Sequence, residues 1–333
     1  MKTKIFGTFG PACASEEVLL QMIEAGMTGM RLNLSHTALV ESKDYIRNYQ
    51  RAATKLGIVP ELLIDMQGPE LRIGMLEDSI YLQEGKQVFL VEECLQAGED
   101  SWQIPVPEEV IKVLEPGDEV LLDDGKMLLR VKLCAEKILA EVLRGGWLQS
   151  HKSIKIVGKN VSLPPLTNHD IENIKVAKDY GVTALMQPFV LSGAQLRKVR
   201  ATLKQHGAEN VKIFAKIENR LGIEKIEDIL PEADVIIIAR GDLGNDMPLW
   251  ELPKAQKQIE EACHKVKKPY IVVTQMLASM ETNPVPTRAE VSDIYHAVYH
   301  GAWGVMLTGE TAVGKHPVEA IRYLANTAKG AEG

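Results

Sequence analysis

The sequence predicts an α/β protein: a (β/α)8 TIM barrel with an all-β domain inserted after the third barrel strand. Three observations lead there. Short apolar strands alternate with helical stretches, and those ending near residues 9, 32, 65, 187, 215, 239, 274 and 307 make eight. Between residues 73 and about 163 this alternation gives way to short period-two runs. Setting that segment aside leaves roughly 240 residues, close to the ~250 of a β/α barrel. The rival, an open doubly wound sheet, would carry a glycine-rich loop after its first strand, and residues 7–12 (GTFGPA) are a poor version of one.

In chain order, residues 4–9 form a strand, and Ser15 caps a helix to about Ala25 with Glu16 and Glu17 in its first turn. A strand over 29–32, a helix over about 40–56 and the strand VPELLID, ending at Asp65, follow. Pro116-Gly117, Asp124-Gly125 and Gly145-Gly146 supply turns in the inserted segment. Beyond it, Thr167/Asp170, Ser192/Gln195 and Thr287/Glu290 are spaced as capping boxes. Strands are expected at 182–187, 211–215, 234–239, 270–274 and 302–307, with helices over 221–230 and 251–267 and a last one over 317–328, where Pro317 sits in the first turn. The domains predicted are therefore 1–72 with 164–333 as the barrel, and 73–163 as the insert.

Composition narrows the function. The formal net charge is −7 and no basic run is long, so a nucleic-acid surface is not expected. Four scattered cysteines (Cys13, Cys94, Cys134, Cys263) give neither metal-site spacing nor a disulfide framework. No apolar run reaches the length of a membrane span and the N-terminus lacks a signal-peptide pattern, so a cytoplasmic location without membrane association is expected. His296 and His300, four apart on a helix, have no evident third ligand and are expected to be an ordinary helix face.

Polar residues gather where the strands stop. In a β/α barrel that end is the catalytic one, and it would receive Arg31, Asn33 and Ser35; Asp65, Glu70 and Arg72; Lys216 and Glu218; Arg240 and Asp242; Thr274 and Gln275; and Glu310. Lys216 and Glu218 are two apart on one strand and share a face, while Asp242 arrives from the end of the next. Two such carboxylates suit a Mg²⁺ ion, a hard cation content with one or two protein carboxylates plus substrate oxygens. Lys216 would stand beside it, free to meet an anion, with Gly241 and Gly244 letting backbone N–H groups approach. The alternative is an ion-pair layer closing the barrel end. Arg31, Arg72 and Lys216 suggest a substrate bearing phosphate and carboxylate; otherwise the arginines are solvated. Asn33, Ser35 and Asp65 suit a hard cation, or serve as caps and turn groups. Thr274 could relay a proton or bond the backbone.

With these residues in view, the sequence resembles the pyruvate kinase family. The motifs are TFGPA (8–12), MRLNLSH (30–36), IDMQGPELR (64–72), LLDDG (121–125), KIEN (216–219), ARGDLG (239–244), TQML-SM (274–280), NPVPTRAE (283–290) and MLTGETAVGKHP (306–317). The resemblance implies a barrel with a mobile β lid and transfer of the phosphoryl group of phosphoenolpyruvate to ADP, giving pyruvate and ATP in glycolysis. It implies Mg²⁺ (or Mn²⁺) held by Glu218 and Asp242, and K⁺ held by Asn33, Ser35, Asp65 and the backbone of Met66, with Glu70 matching K⁺-dependent members. Lys216, Arg31, Arg72 and Thr274 take the catalytic positions. Arg31, Lys216, Arg240, Gly241, Asp242 and Thr274 meet the substrate's carboxylate and phosphate, and Pro11, Asn33, His36 and Lys159 lie at nucleotide positions.

The sequence departs from the family pattern at the pocket wall. The family's Asp-Thr-Lys-Gly-Pro-Glu is Asp65-Met66-Gln67-Gly68-Pro69-Glu70, and its Ala-Ser-Phe plus basic pair is Gln187-Pro188-Phe189-Val190-Leu191-Ser192. Two further readings follow: a related enzyme acting on another 2-oxo acid or enol phosphate, and a weakly active regulatory paralogue. Since the sequence ends after the eighth barrel helix, the family's C-terminal domain and its allosteric site are expected to be absent, with a homodimer through the barrel.

Overall fold

The computed structural model describes residues 2–35, 37–92, 102–135, 137–159, 161 and 163–333. The chain divides into two compact units, Met1–Pro69 with Pro164–Gly333, and Glu70–Leu163.

Among the described residues of the first unit, eight parallel strands close into a barrel: β1 (Lys4–Thr8), β2 (Gly29–Asn33), β3 (Glu61–Asp65), β4 (Ala184–Gln187), β5 (Lys212–Ile217), β6 (Val235–Ala239), β7 (Tyr270–Val273) and β8 (Gly304–Met306). Each strand pairs with its successor, and β8 returns to β1 with Gly304 opposite Lys4. Both faces are buried, which explains the near-continuous apolar runs such as Val235–Ala239, buried throughout. Alternate residues divide between two cores. Ile213, Ala215 and Ile217 join the layer beneath the helices, whereas Phe214 packs with Phe6, Met186, Ile237 and Met306 in a separate inner cluster.

Local signals set many helix starts. Ser15 Oγ accepts the Val18 N–H, and the Thr167/Asp170 and Thr287/Glu290 boxes both close. Ser192 caps its helix, but Gln195 turns back to the Leu191 N–H at 2.8 Å rather than to Ser192. Two expectations change. The helix expected over 221–230 is split into Arg220–Glu224 and Ile226–Ile229. A helix over Arg240–Asp246 directly follows β6, although its two glycines give it poor propensity. Burial of Leu243 and the ion pair of Arg240 with Asp293 hold it in place, so tertiary contacts outweigh propensity there.

The described residues of the second unit form a six-stranded sheet and a two-stranded one, Ile80–Leu82 with Gly146–Leu148. They also include one helical turn, Glu108–Ile111. This unit has its own core, with Leu82, Leu90, Ile104, Leu122 and Leu129 fully buried. The Asp124-Gly125 turn is tight: Asp123, Asp124 and Gly125 have φ of 48°, 53° and 81°. Among the described residues no helix is long and apolar enough to cross a membrane.

Candidate active site

The inner row of β5 changes character within four residues. Phe214 faces the apolar cluster, Lys216 follows on the same side, and Glu218 lies one residue beyond the strand end. The structure brings Arg31, Asp65, Lys216 and Glu218 into one buried group. Lys216 Nζ lies 2.8 Å from Glu218 Oε1 and 3.4 Å from Asp65 Oδ1. Asp65 Oδ2 accepts from Arg31 Nε at 2.8 Å and lies 2.7 Å from Arg31 Nη2. Side-chain exposure is 14% for Arg31 and Lys216, 3% for Asp65 and 1% for Glu218. Lys216 is therefore held by two carboxylates rather than standing free.

Burial and charge compete at each member. At Asp65 burial works upward, but Lys216 and Arg31 outweigh it and hold the carboxyl below its ordinary value. Burial also works to lower Lys216, and the charges of Asp65, Glu218 and Asp242 more than offset it, so the ammonium is held above its usual value. Glu218 goes the other way: burial, opposed by Lys216 and reinforced by Asp242, pushes its carboxyl up to about 7.

Arg240 and Asp242 come directly after the end of β6. Their strand stops at Ala239 and both lie in the first turn of the Arg240–Asp246 helix. Asp242 is exposed and acts on Lys216 and Glu218 through its charge. Arg240 faces other partners, with Nη1 bonding Asp293 Oδ1 and Nη2 bonding the Thr274 carbonyl, both at 2.8 Å. Thr274 Oγ1 accepts the Gly241 N–H at 2.8 Å and donates to the Val273 carbonyl. Thr274 has φ of 71° and Gln275 of 53°. A β-branched residue in the left-handed region costs on the order of 1–3 kcal/mol, and such strain clusters at functional sites. Arg240, Gly241 and Thr274 thus form a second group, pinned by Asp293.

At the ends of β2 and β3, Asn33 is the register partner of Asp65. Asn33 Oδ1 accepts from Ser35 Oγ at 3.0 Å and from the Ser35 N–H at 3.3 Å. Met66 is buried and its N–H donates to the Met186 carbonyl at 3.1 Å. Pro11 is exposed at the start of a 3-10 turn, Pro11–Cys13, and His36 lies outside the described residues. Glu310, placed at the mouth by its position in the sequence, is 1% exposed and accepts N–H groups of Leu277 and Thr308, so it ties two loops together. The remaining members lie in the second unit. Arg72 bonds Glu70 Oε2 through Nε and Nη2 and the His151 carbonyl through Nη1. Lys159 bonds Glu115, Asp118 and the Val113 carbonyl.

These residues fit the cations that the family resemblance implies. Asp65 Oδ1 and Glu218 Oε1 are buried oxygens that face the Lys216 ammonium at 3.4 and 2.8 Å, and a hard cation, which takes such oxygens, would share them with it. Among the described residues, no group of three or more His, Cys, Asp or Glu gathers to hold a metal by itself. Two carboxylates completed by substrate oxygens would be a Mg²⁺ pattern rather than a closed protein cage.

Sequence reading missed Phe189 and Asp293. Phe189, at φ of 52°, donates its N–H to Glu218 Oε2 at 2.7 Å. Only its backbone is used, so its side chain carries no signal. Asp293 lies on the Arg288–Tyr299 helix, away from any strand end, and nothing in its spacing points to Arg240.

The model of the family described as "Pyruvate kinase, barrel domain" matches residues 1–321. Over 99% of this chain, pyruvate kinases of Staphylococcus saprophyticus and Bacillus licheniformis are each 38% identical, and one of Staphylococcus aureus is 37% identical. The chain spans 57% of the length of these relatives. The family model over residues 1–321 and relatives 37–38% identical over 99% of the chain agree: this chain belongs to the pyruvate kinase family.

Proposed function

We propose that the chain carries pyruvate kinase activity, Mg²⁺-dependent and K⁺-dependent transfer of the phosphoryl group of phosphoenolpyruvate to ADP. The observation that carries this reading is Lys216, a buried ammonium kept charged between Asp65 and Glu218. Phosphoryl transfer needs little covalent help from the protein and much positive charge around the moving group. In this reading Lys216 and Arg31 supply that charge, and Glu218 and Asp242 would hold Mg²⁺, whose contribution is to neutralise substrate oxygens. Asn33, Ser35, Asp65 and the Met66 carbonyl would hold K⁺. Thr274, whose hydroxyl is positioned by the Gly241 N–H, lies on the route of the proton that converts the enolate to pyruvate. Arg72 would add phosphate contact, and Pro11, His36 and Lys159 nucleotide contact. Residues 73–163 would act as a lid that excludes water. The reading carries a cytoplasmic setting and a homodimer through the barrel with it.

The test is to incubate purified protein with phosphoenolpyruvate, ADP and Mg²⁺, with and without K⁺, and follow pyruvate and ATP. Pyruvate and ATP in equal amounts are expected; folded protein that forms neither overturns the proposal. Lys216→Met should lower kcat by about 10² to 10³, and near-wild-type turnover would remove Lys216 from its role. A second reading, action on a different 2-oxo acid, is favoured by the wall: Pro188 rests on Gly68 and the Gln187 amide bonds the Pro165 carbonyl. Enolisation of other 2-oxo acids faster than pyruvate would favour it.

A further inference from the structure

We infer that Asp170 is a positioning residue for the cation site at the end of β3, acting by fixing the peptide plane that carries the Met66 carbonyl. The inference rests on the reading of Asn33, Ser35, Asp65 and Met66 as cation ligands. Asp170 has no exposed surface and sits at the third position of the Asn168–Val176 helix. Its Oδ2 accepts from the Thr167 N–H at 2.8 Å and the Thr167 hydroxyl at 2.9 Å, which is all that a helix cap requires. Two further bonds leave the helix. Oδ1 accepts the Gln67 N–H at 2.9 Å and Oδ2 the Gly68 N–H at 3.1 Å. No lysine or arginine pairs with this carboxylate among the described residues, so N–H and O–H dipoles alone compensate it.

The Gln67 N–H and the Met66 carbonyl belong to one planar trans peptide unit and point in opposite directions. Holding that N–H therefore aims the carbonyl away from Asp170 and removes the rotation of the unit. The flanking units are fixed as well. The Met66 N–H bonds Met186 in β4. Gly68 has φ of 63°, and a Cβ added to it would come 2.3 Å from the Pro188 ring. Asp170 thus sets the direction of a backbone ligand without touching the cation, and the exposed end of the barrel gains a rigid carbonyl from a buried acid behind it.

Asp170→Asn tests this selectively. Three donors converge on Oδ2, so the asparagine oxygen takes that side, and its NH2 group faces the Gln67 N–H. The cap survives and the peptide plane is released. The measurement is the melting temperature in MgCl2 as KCl replaces tetramethylammonium chloride at constant ionic strength, with phosphoenolpyruvate and ADP turnover followed in parallel. The half-saturating K⁺ concentration should rise about ten- to hundredfold in both readouts, as for other residues that orient a metal ligand. At saturating K⁺, kcat should return close to wild type. Thr167→Ala, which removes the cap hydroxyl and leaves the bonds to Gln67 and Gly68, should lower the melting temperature without moving the K⁺ dependence.

An unmoved K⁺ dependence in Asp170→Asn, or an equal shift in Thr167→Ala, overturns the role of Asp170. A wild-type protein whose melting temperature has no K⁺-specific response overturns it too, whatever its turnover. Wild-type protein with a K⁺ response but no turnover instead breaks the phosphotransferase reading and leaves Asp170 supported if its variant shifts that response. Should Asp170→Asn not fold, Pro188→Ala frees the same loop from its other side: a raised K⁺ half-saturation supports the inference and an unchanged one overturns it.

Discussion

Lys216 in the barrel and Lys159 in the second unit are each held by two carboxylates, Asp65 and Glu218 for the first, Glu115 and Asp118 for the second. Residue types and distances are similar, and the surroundings differ. Asp65 and Glu218 are 3% and 1% exposed, whereas Glu115 is 74% exposed and Asp118 14%. Water screens the second group, and its charges would lose little by separating. In the first, each charge depends on the others because solvent cannot replace them. Similar ion pairs are therefore a surface contact in one place and a poised site in the other.

The sharpest way to break this comparison is to remove one partner from each group. Asp65→Ala should cost about 3–5 kcal/mol in urea denaturation of the metal-free protein, because it leaves Arg31 without its carboxylate and Lys216 with Glu218 alone. A loss below about 1 kcal/mol would mean that water reaches the barrel group as readily as it reaches Glu115.

A smaller effect should appear in pH dependence. Glu218 is raised to about 7 in the fold against an ordinary value of 4.5, so the folded chain holds a proton that the unfolded chain releases. The stability this contributes is complete below pH 4.5 and lost as pH rises through about 7, a change of up to about 3 kcal/mol. Asp65 has the opposite sign: its lowered value contributes stability above the ordinary carboxylate range, lost on acidification. In metal-free protein, Glu218→Gln should abolish the decline between pH 4.5 and about 7. A variant with the wild-type slope would show that another group titrates there.

The least effect is expected in the second unit. Lys159→Ala should leave the urea midpoint almost unchanged in 1 M NaCl, where surface pairs are screened. A large, salt-independent loss would make the two lysines alike after all.

Much of the barrel was legible in the sequence because buried parallel strands are continuous apolar runs and the helices between them begin with visible caps, as at Ser15, Thr167 and Thr287. The Arg240–Asp246 helix was not, because Leu243 burial and the Arg240–Asp293 pair form it against its propensity. The charged residues of the site were legible as types at strand ends, and Lys216 with Glu218 as a pair sharing a face. Their connections were not. That Arg31 pairs with Asp65 across two strands, that Arg240 turns to Asp293, and that Phe189 contributes only an N–H to Glu218 follow from register and backbone direction.

The sequence by itself determined the fold class, the strand ends at which chemistry could collect, and the family, since periodicity and motif order are local properties of a chain. Only the tertiary structure decided which charges meet and in what surroundings. Ionisation depends on distance and desolvation, and neither is written along the chain: burial drives Glu218 up against the pull of Lys216 2.8 Å away, while Asp65, Glu218 and Asp242 together hold Lys216 charged.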